Sequence, residues 1–174
     1  MRIIFMGTPM FALPSLEKIY KEHEVIAVFT KVDKPNARGK KINYSPIKEF
    51  TLANNLKIYQ PENFKDETLI EEIKNMQPDL IVIVAYGKIL PKEIIDIPKY
   101  GVINLHSSLL PRFRGAAPIN AAIINGDKKS GVSIMYVEEE LDAGAVILQE
   151  ETKITDEDTF LSLHDRLKDM GADL

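Results

Sequence analysis

Apolar residues in this chain fall into short blocks that alternate between unbroken runs and helical spacing. "RIIFMG" (2–7) and "EVIAVFT" (24–30) predict strands, with a helix between them whose face carries Phe11, Leu16 and Ile19. A loop containing Pro and Lys follows, and a helix is expected from about Ser45, with Ser45 as N-cap and Pro46 in the first turn. "DETLIEEIKNM" (66–76) places Leu69, Ile70, Ile73 and Met76 at helical spacing. After Pro78, "DLIVIVAYG" (79–87) is apolar without alternation, the pattern of a strand covered on both faces in a parallel sheet. "GVINLH" (101–106) predicts a further strand, and "APINAAIING" (117–126) a helix ending at Gly126.

The texture then changes. "GVSIMYV" and "GAVILQEE" flank a short acidic loop and read as antiparallel additions to the sheet. "TDEDTFLSLHDRLKDMGADL" is a helix with Phe160, Leu163, Leu167, Met170 and Leu174 in one stripe, capped by Thr155 or Asp158. The sum is α/β: an open, doubly wound, Rossmann-like and mostly parallel sheet, without internal repeats. Because the apolar stripe runs to the final residue, the chain reads as one domain of something longer; a native end packed on the body is the alternative.

Composition narrows this further. A chain of 174 residues suits one domain with a real core. It has no Cys, and its three His (His23, His106 and His164) are scattered, so neither disulfides nor an ordinary metal site is expected. The opening "MRIIFMGTPM" is too short an apolar run for a signal peptide or membrane span, and a cytoplasmic protein is expected.

The net charge of −4 hides an uneven distribution. Residues 31–48, "KVDKPNARGKKINYSPIK", hold six basic residues and one Asp, a local +5 on a body of −9. By charge alone this is either a solvated loop or a local site for a polyanion.

Candidate chemistry centres on Asn104 and His106. They sit two apart, so in a strand they point to one side, while Ile103 and Leu105 face the other. They also lie near the carboxyl end, where open α/β sheets place their sites. An amide donor and an imidazole converging there could stabilise negative charge on a carbonyl under attack. Both could equally be hydrogen-bonded structural residues. Asp142, in "VEEELDAGAV", is either a turn residue bonded to its own backbone or a carboxylate that orients His106, with Leu141 anchoring its loop. Its neighbours Glu138, Glu139 and Glu140 are expected in solvent.

"NLHSSLLPRFRGAAPIN" followed by "LDAG" resembles the signature of the formyltransferases that use 10-formyltetrahydrofolate. "MGTPMFALPSL", "ARGKKINYSPIK", "YQPENF" and "VAYGKILP" extend the likeness across residues 1–174, toward the branch acting on methionyl initiator tRNA. The resemblance implies a catalytic trio of Asn104, His106 and Asp142. It further implies folate contact by Ser108, Leu109, Leu110 and Pro111 and by Leu90, and tRNA contact by Arg38, Lys40 and Lys41. The implied reaction moves a formyl group from the folate to the methionyl α-amino group, for translation initiation. Asn104 and a protonated His106 would stabilise the oxyanion, and Asp142 would help move protons. A monomer that uses no metal and touches no membrane is expected.

Two departures qualify the likeness. Members of this branch carry a smaller C-terminal β-barrel that helps bind tRNA, absent from this chain. Ala145 stands where an acidic residue is common, so a formyltransferase acting on an amino-sugar nucleotide is the nearest alternative. Ser107, where glycinamide ribonucleotide formyltransferases have Pro, makes that group more distant. A non-catalytic folate- or tRNA-binding module and a nicotinamide-dependent oxidoreductase are alternatives of other classes. "GTP" at 7–9 lacks the spacing of a dinucleotide fingerprint, which disfavours the latter.

Overall fold

A computed structural model describes residues 1–33 and 43–174. The long apolar runs form strands β1 (Arg2–Gly7), β2 (Glu24–Phe29), β4 (Leu80–Val84) and β5 (Val102–His106), joined by the short β3 (Ile58–Tyr59). The two later segments form β6 (Lys129–Tyr136) and β7 (Val146–Lys153). They make one seven-stranded sheet in the order β3-β2-β1-β4-β5-β6-β7. The first five strands are parallel, and β6 and β7 join antiparallel, as the change in sequence texture predicts.

Helices α1 (Leu13–Glu22), α2 (Pro46–Ala53), α3 (Glu67–Asn75), α4 (Lys92–Ile95), α5 (Pro118–Ile124) and α6 (Phe160–Asp173) cover both faces. Alternation along β4 divides the interior. Val82 and Val84 pack with Phe5, with Leu16 of α1 and with Leu163 and Leu167 of α6. Ile81 and Ile83 pack with Phe29, with Ile73 of α3 and with Ile94 of α4. Each fully buried side chain of this size stabilises the fold by roughly 1.5–3 kcal/mol before the cost of ordering it. α6 comes close to β5 at Gly171, where a Cβ would lie 2.4 Å from Leu105 Cδ2. Among the described residues, no helix is long and apolar enough to cross a membrane.

Ser45 caps α2 as expected, its side chain accepting the Lys48 N–H, with Pro46 opening the helix. Three local details differ from expectation. Phe11 lies in a 3-10 turn (Met10–Ala12) before α1 rather than on the helix itself. The cap of α6 is Thr159, not Thr155 or Asp158: Thr159 and Ser162 exchange hydrogen bonds in a capping box. Asp158 instead accepts from Thr155 N–H, the Ser162 hydroxyl and Arg166, a denser set than a cap alone provides. Phe160 is 47% exposed and does not join the buried stripe of Leu163 and Leu167, because the first turn of α6 borders a cavity.

The connections run from β1 through β2 to β3 on one side, then return through β4 to β5 on the other. Between β1 and β4 the strand order reverses, which leaves a crevice beyond their carboxyl ends.

Candidate active site

A cavity of about 680 Å³ occupies that crevice. Residues from the two sheet faces line its two sides. Phe11 and Ile119, which belong to the core under α1 and α6, line one of them together with Phe160 and His164. Ile83, Tyr86, Leu90 and Val137, which belong to or pack on the opposite core, line the other. Asn104 and His106 of β5 lie between.

His106 is buried. Its Nε2 is 2.9 Å from the carbonyl oxygen of Phe113. A carbonyl only accepts, so Nε2 carries a proton and donates it. Nδ1 is therefore the nitrogen left for other chemistry, and it faces Asp142 Oδ2 at 3.6 Å, both side chains less than a tenth exposed. The distance is too long for a hydrogen bond and short enough for a charge pair. Asp142 Oδ2 is itself held by the Gly115 N–H at 2.7 Å. Asn104, two positions back on the same side, lines the cavity with an amide that no described residue engages.

Asp142 reaches β5 because its loop is pinched at the base. Tyr136 N–H donates to Ala145 O, and Val137 N–H to Val102 O. Gly144 permits the pinch: a Cβ there would lie 2.0 Å from Tyr136 O. The loop then folds back over the sheet, and Glu138, Glu139 and Glu140 are exposed as expected. Leu141 does not anchor it. That side chain is 60% exposed at the cavity mouth, and the Gly115 N–H to Asp142 contact takes the anchoring role.

Backbone strain gathers around the site. Among the described residues, Ala85, Phe113, Ala117 and Asp142 all have positive φ (47, 55, 58 and 50°) without being glycine. Such conformations cost about 1 kcal/mol or more each and persist where surrounding contacts over-determine them.

Of the residues expected to contact folate, Leu90 lines the cavity. Ser108, Leu109, Leu110 and Pro111 form a turn that does not. Ser108 is buried and donates to Arg112 O at 2.6 Å, Leu109 packs on Gly131, and Pro111 follows a cis peptide bond. Arg38, Lys40 and Lys41 lie outside the described residues. Among those described, no cluster of three or more metal-binding side chains forms.

Two lining residues, Phe160 and His164, had no motif to mark them. Phe160 and His164 pack ring to ring at 5.6 Å, and His164 meets Phe11 edge-on at 5.3 Å; in the sequence Phe160 reads as part of a core stripe. Tyr86 is buried with its hydroxyl unpartnered, and burial pushes its phenol up from the ordinary value. Tyr86 lies in the motif "VAYGKILP", which carries the family resemblance without assigning this side chain a role.

The family pattern described as "Formyl transferase" matches residues 1–174. A methionyl-tRNA formyltransferase of Fusobacterium nucleatum is 91% identical over 174 residues, covering 100% of this chain and 56% of the relative. That of Alkaliphilus oremlandii is 53% identical over 173 residues, covering 99% of this chain and 56% of the relative. The chain thus spans little more than half the length of these curated relatives. Among solved structures, a phosphoribosylglycinamide formyltransferase from Bacillus halodurans superimposes with a TM-score of 0.81 at 24% identity, covering 100% of this chain and 91% of that one. That likeness concerns the fold.

Proposed function

The chain belongs to the formyl transferase family, and we propose that it transfers a formyl group from 10-formyltetrahydrofolate to the α-amino group of methionine on initiator tRNA. The observation that carries this reading is the meeting of Asn104, His106 and Asp142 at one cavity. The names of the two curated relatives support the choice of acceptor.

The folate, when bound, supplies an electrophilic formyl carbon attached to N10. Its flat ring system suits the apolar side of the cavity lined by Ile83, Leu90 and Val137, where apolar surface is buried on binding. The Ser108–Pro111 turn, although it does not line this cavity, is proposed as a folate contact on the family resemblance. In the reaction the amine nitrogen forms a bond to the formyl carbon, and the bond from that carbon to N10 breaks. The amine loses one proton and N10 gains one.

Asn104 offers an amide N–H to the formyl oxygen as negative charge develops there, a fixed dipole worth more at a water-poor site than in bulk. His106 contributes through Nδ1, because Nε2 is committed to Phe113. Asp142 stabilises the protonated ring by charge and supplies a carboxylate that can receive the amine proton through water. Polar groups that would otherwise destabilise a strand end find their partners in the transition state. Arg38, Lys40 and Lys41 neutralise phosphates near the acceptor end, which positions the tRNA without reading bases.

The test is a formylation assay with 10-formyltetrahydrofolate that offers methionyl initiator tRNA and an amino-sugar nucleotide in competition. Formyl-methionyl-tRNA is the expected product. A formylated sugar in its place would overturn the assignment.

A further inference from the structure

One side of the His106 ring faces the cavity; what holds the ring from behind lies at the antiparallel edge of the sheet. Ser133 on β6 stands opposite His106 in the strand register, and Gln149 on β7 stands opposite Ser133. Three polar side chains therefore form one row across three adjacent strands.

The middle of the row is fully buried and fully used. Ser133 Oγ donates its proton to Ser108 O at 2.6 Å. Its lone pairs receive the Leu110 N–H at 3.1 Å and Gln149 Nε2–H at 2.8 Å. The second Gln149 Nε2 proton goes to Leu110 O at 2.9 Å. A hydroxyl has one donor and two acceptor sites, so this set leaves nothing over and admits one orientation only. Leu110 thus has both its N–H and its C=O held, and the backbone of the turn is clamped at that residue. Gly131 lets the turn lie against β6, since a Cβ there would meet Leu109 Cδ2 at 2.6 Å.

From the clamp the path to the imidazole is short. Ser108 Oγ donates to Arg112 O at 2.6 Å, which closes the turn. The next residue, Phe113, is held at φ 55° and presents its carbonyl to His106 Nε2. We infer that Ser133 and Gln149 are positioning residues for His106: they fix the turn that aims the Phe113 carbonyl, and that carbonyl selects which ring nitrogen faces the cavity. Buried polar groups cost free energy unless satisfied, and apolar residues in this row would hold the strands together as well. The arrangement is explained by what it orients. The inference rests on the reading that His106 is a catalytic group.

The test compares Gln149→Leu, Gln149→Glu and Ser133→Ala with Ser133→Thr, which keeps the hydroxyl. Glu has the shape of Gln but sets an acceptor against Leu110 O, so polarity is separated from packing. Two quantities are read in each variant: kcat and KM for formyl transfer, and the ¹⁵N chemical shifts of the His106 ring at fixed pH without substrate. A positioning role predicts that the first three lower kcat about ten- to a hundredfold, the scale of a misplaced catalytic group, and change KM little. The Nε2 shift moves away from its hydrogen-bonded value in those three, while Ser133→Thr restores both readings. If only the melting temperature falls, with kcat and the ring shifts as in the parent, the row is structural and the inference is overturned. Should Ser133→Ala fail to fold, the two Gln149 variants decide, because that residue is on an exposed edge strand. A parent protein inactive on methionyl-tRNA would sink the functional reading instead, and the ring shifts would still judge this one.

Discussion

Nδ1 of His106 and Oδ2 of Asp142 stand 3.6 Å apart, both nearly shielded from water, although α5 and β6 separate them along the chain. Asp142→Asn keeps the shape of the side chain and an oxygen for the Gly115 N–H, and removes only the charge. We expect kcat to fall on the order of 10²- to 10⁴-fold, the range for loss of a proton-transfer partner. The melting temperature should stay close to that of the parent. A formyl-transfer rate within a few-fold of the parent would remove Asp142 from the mechanism.

Asn104→Ala tests the proposed donor to the oxyanion. The amide has no structural partner among the described residues, so its loss should leave folding intact. Turnover should drop about 10²- to 10³-fold, as when one donor to a developing oxyanion is removed. Steady-state kinetics that showed a raised KM and an unchanged kcat would assign Asn104 to binding alone.

Gly144→Ala should act on the site from a distance. The added Cβ meets the Tyr136 carbonyl, a backbone atom that cannot turn aside, so the base of the Asp142 loop must open. Overpacking of this kind costs about 1–3 kcal/mol. Activity should suffer more than stability, since a small rotation at the base displaces Asp142. Parallel melting curves and rates are the measurement.

Acid stability should depend on Asp158. The Thr155 N–H first, then the Ser162 hydroxyl and Arg166, hold its carboxyl down to about 2 against burial, which acts the other way. Its folded pKa lies below the unfolded one, so its contribution is present above the ordinary carboxylate value of 3.8 and drains away as pH falls toward about 2. Asp158→Asn should melt lower than the parent at neutral pH, and the gap should close across that window. A gap that stayed constant down to pH 2 would contradict the assignment.

Arg38, Lys40 and Lys41 enter the proposed tRNA site through the family resemblance of "ARGKKINYSPIK". Their triple replacement by Ala should raise KM for tRNA and leave kcat nearly unchanged. The dependence of log affinity on log salt should flatten by about 0.7–0.9 for each phosphate no longer neutralised. An unchanged slope would mean that the loop is merely solvated.

Local chemistry explains what could be read in advance. Unbroken apolar runs have few ways to be buried other than as central parallel strands, so β1, β2, β4 and β5 were legible. Ser45 followed by Pro46 leaves little choice for the start of α2. Asn104 and His106 were visible because period-two geometry places them on one side wherever the strand lies. The start of α6 was less legible. Thr155, Asp158 and Thr159 all have side chains able to cap, and Ser162 and Arg166, in the first two turns of the helix, draw Asp158 into a different role. Phe160 sits at helical spacing with the core stripe, and spacing alone does not record that the first turn of the helix borders the cavity.

The amino-acid sequence by itself determined the elements and their layering, because periodicity and side-chain chemistry are local properties, and its resemblance to a known family named the residues proposed to carry a formyl transfer. The tertiary structure decided which of those residues meet. A pinched loop at Gly144 carries Asp142 back to β5, a reversal of strand order opens the cavity, and a row of side chains across three strands aims His106. Each of these depends on packing between segments distant along the chain, and their geometry is set only when the sheet closes around them.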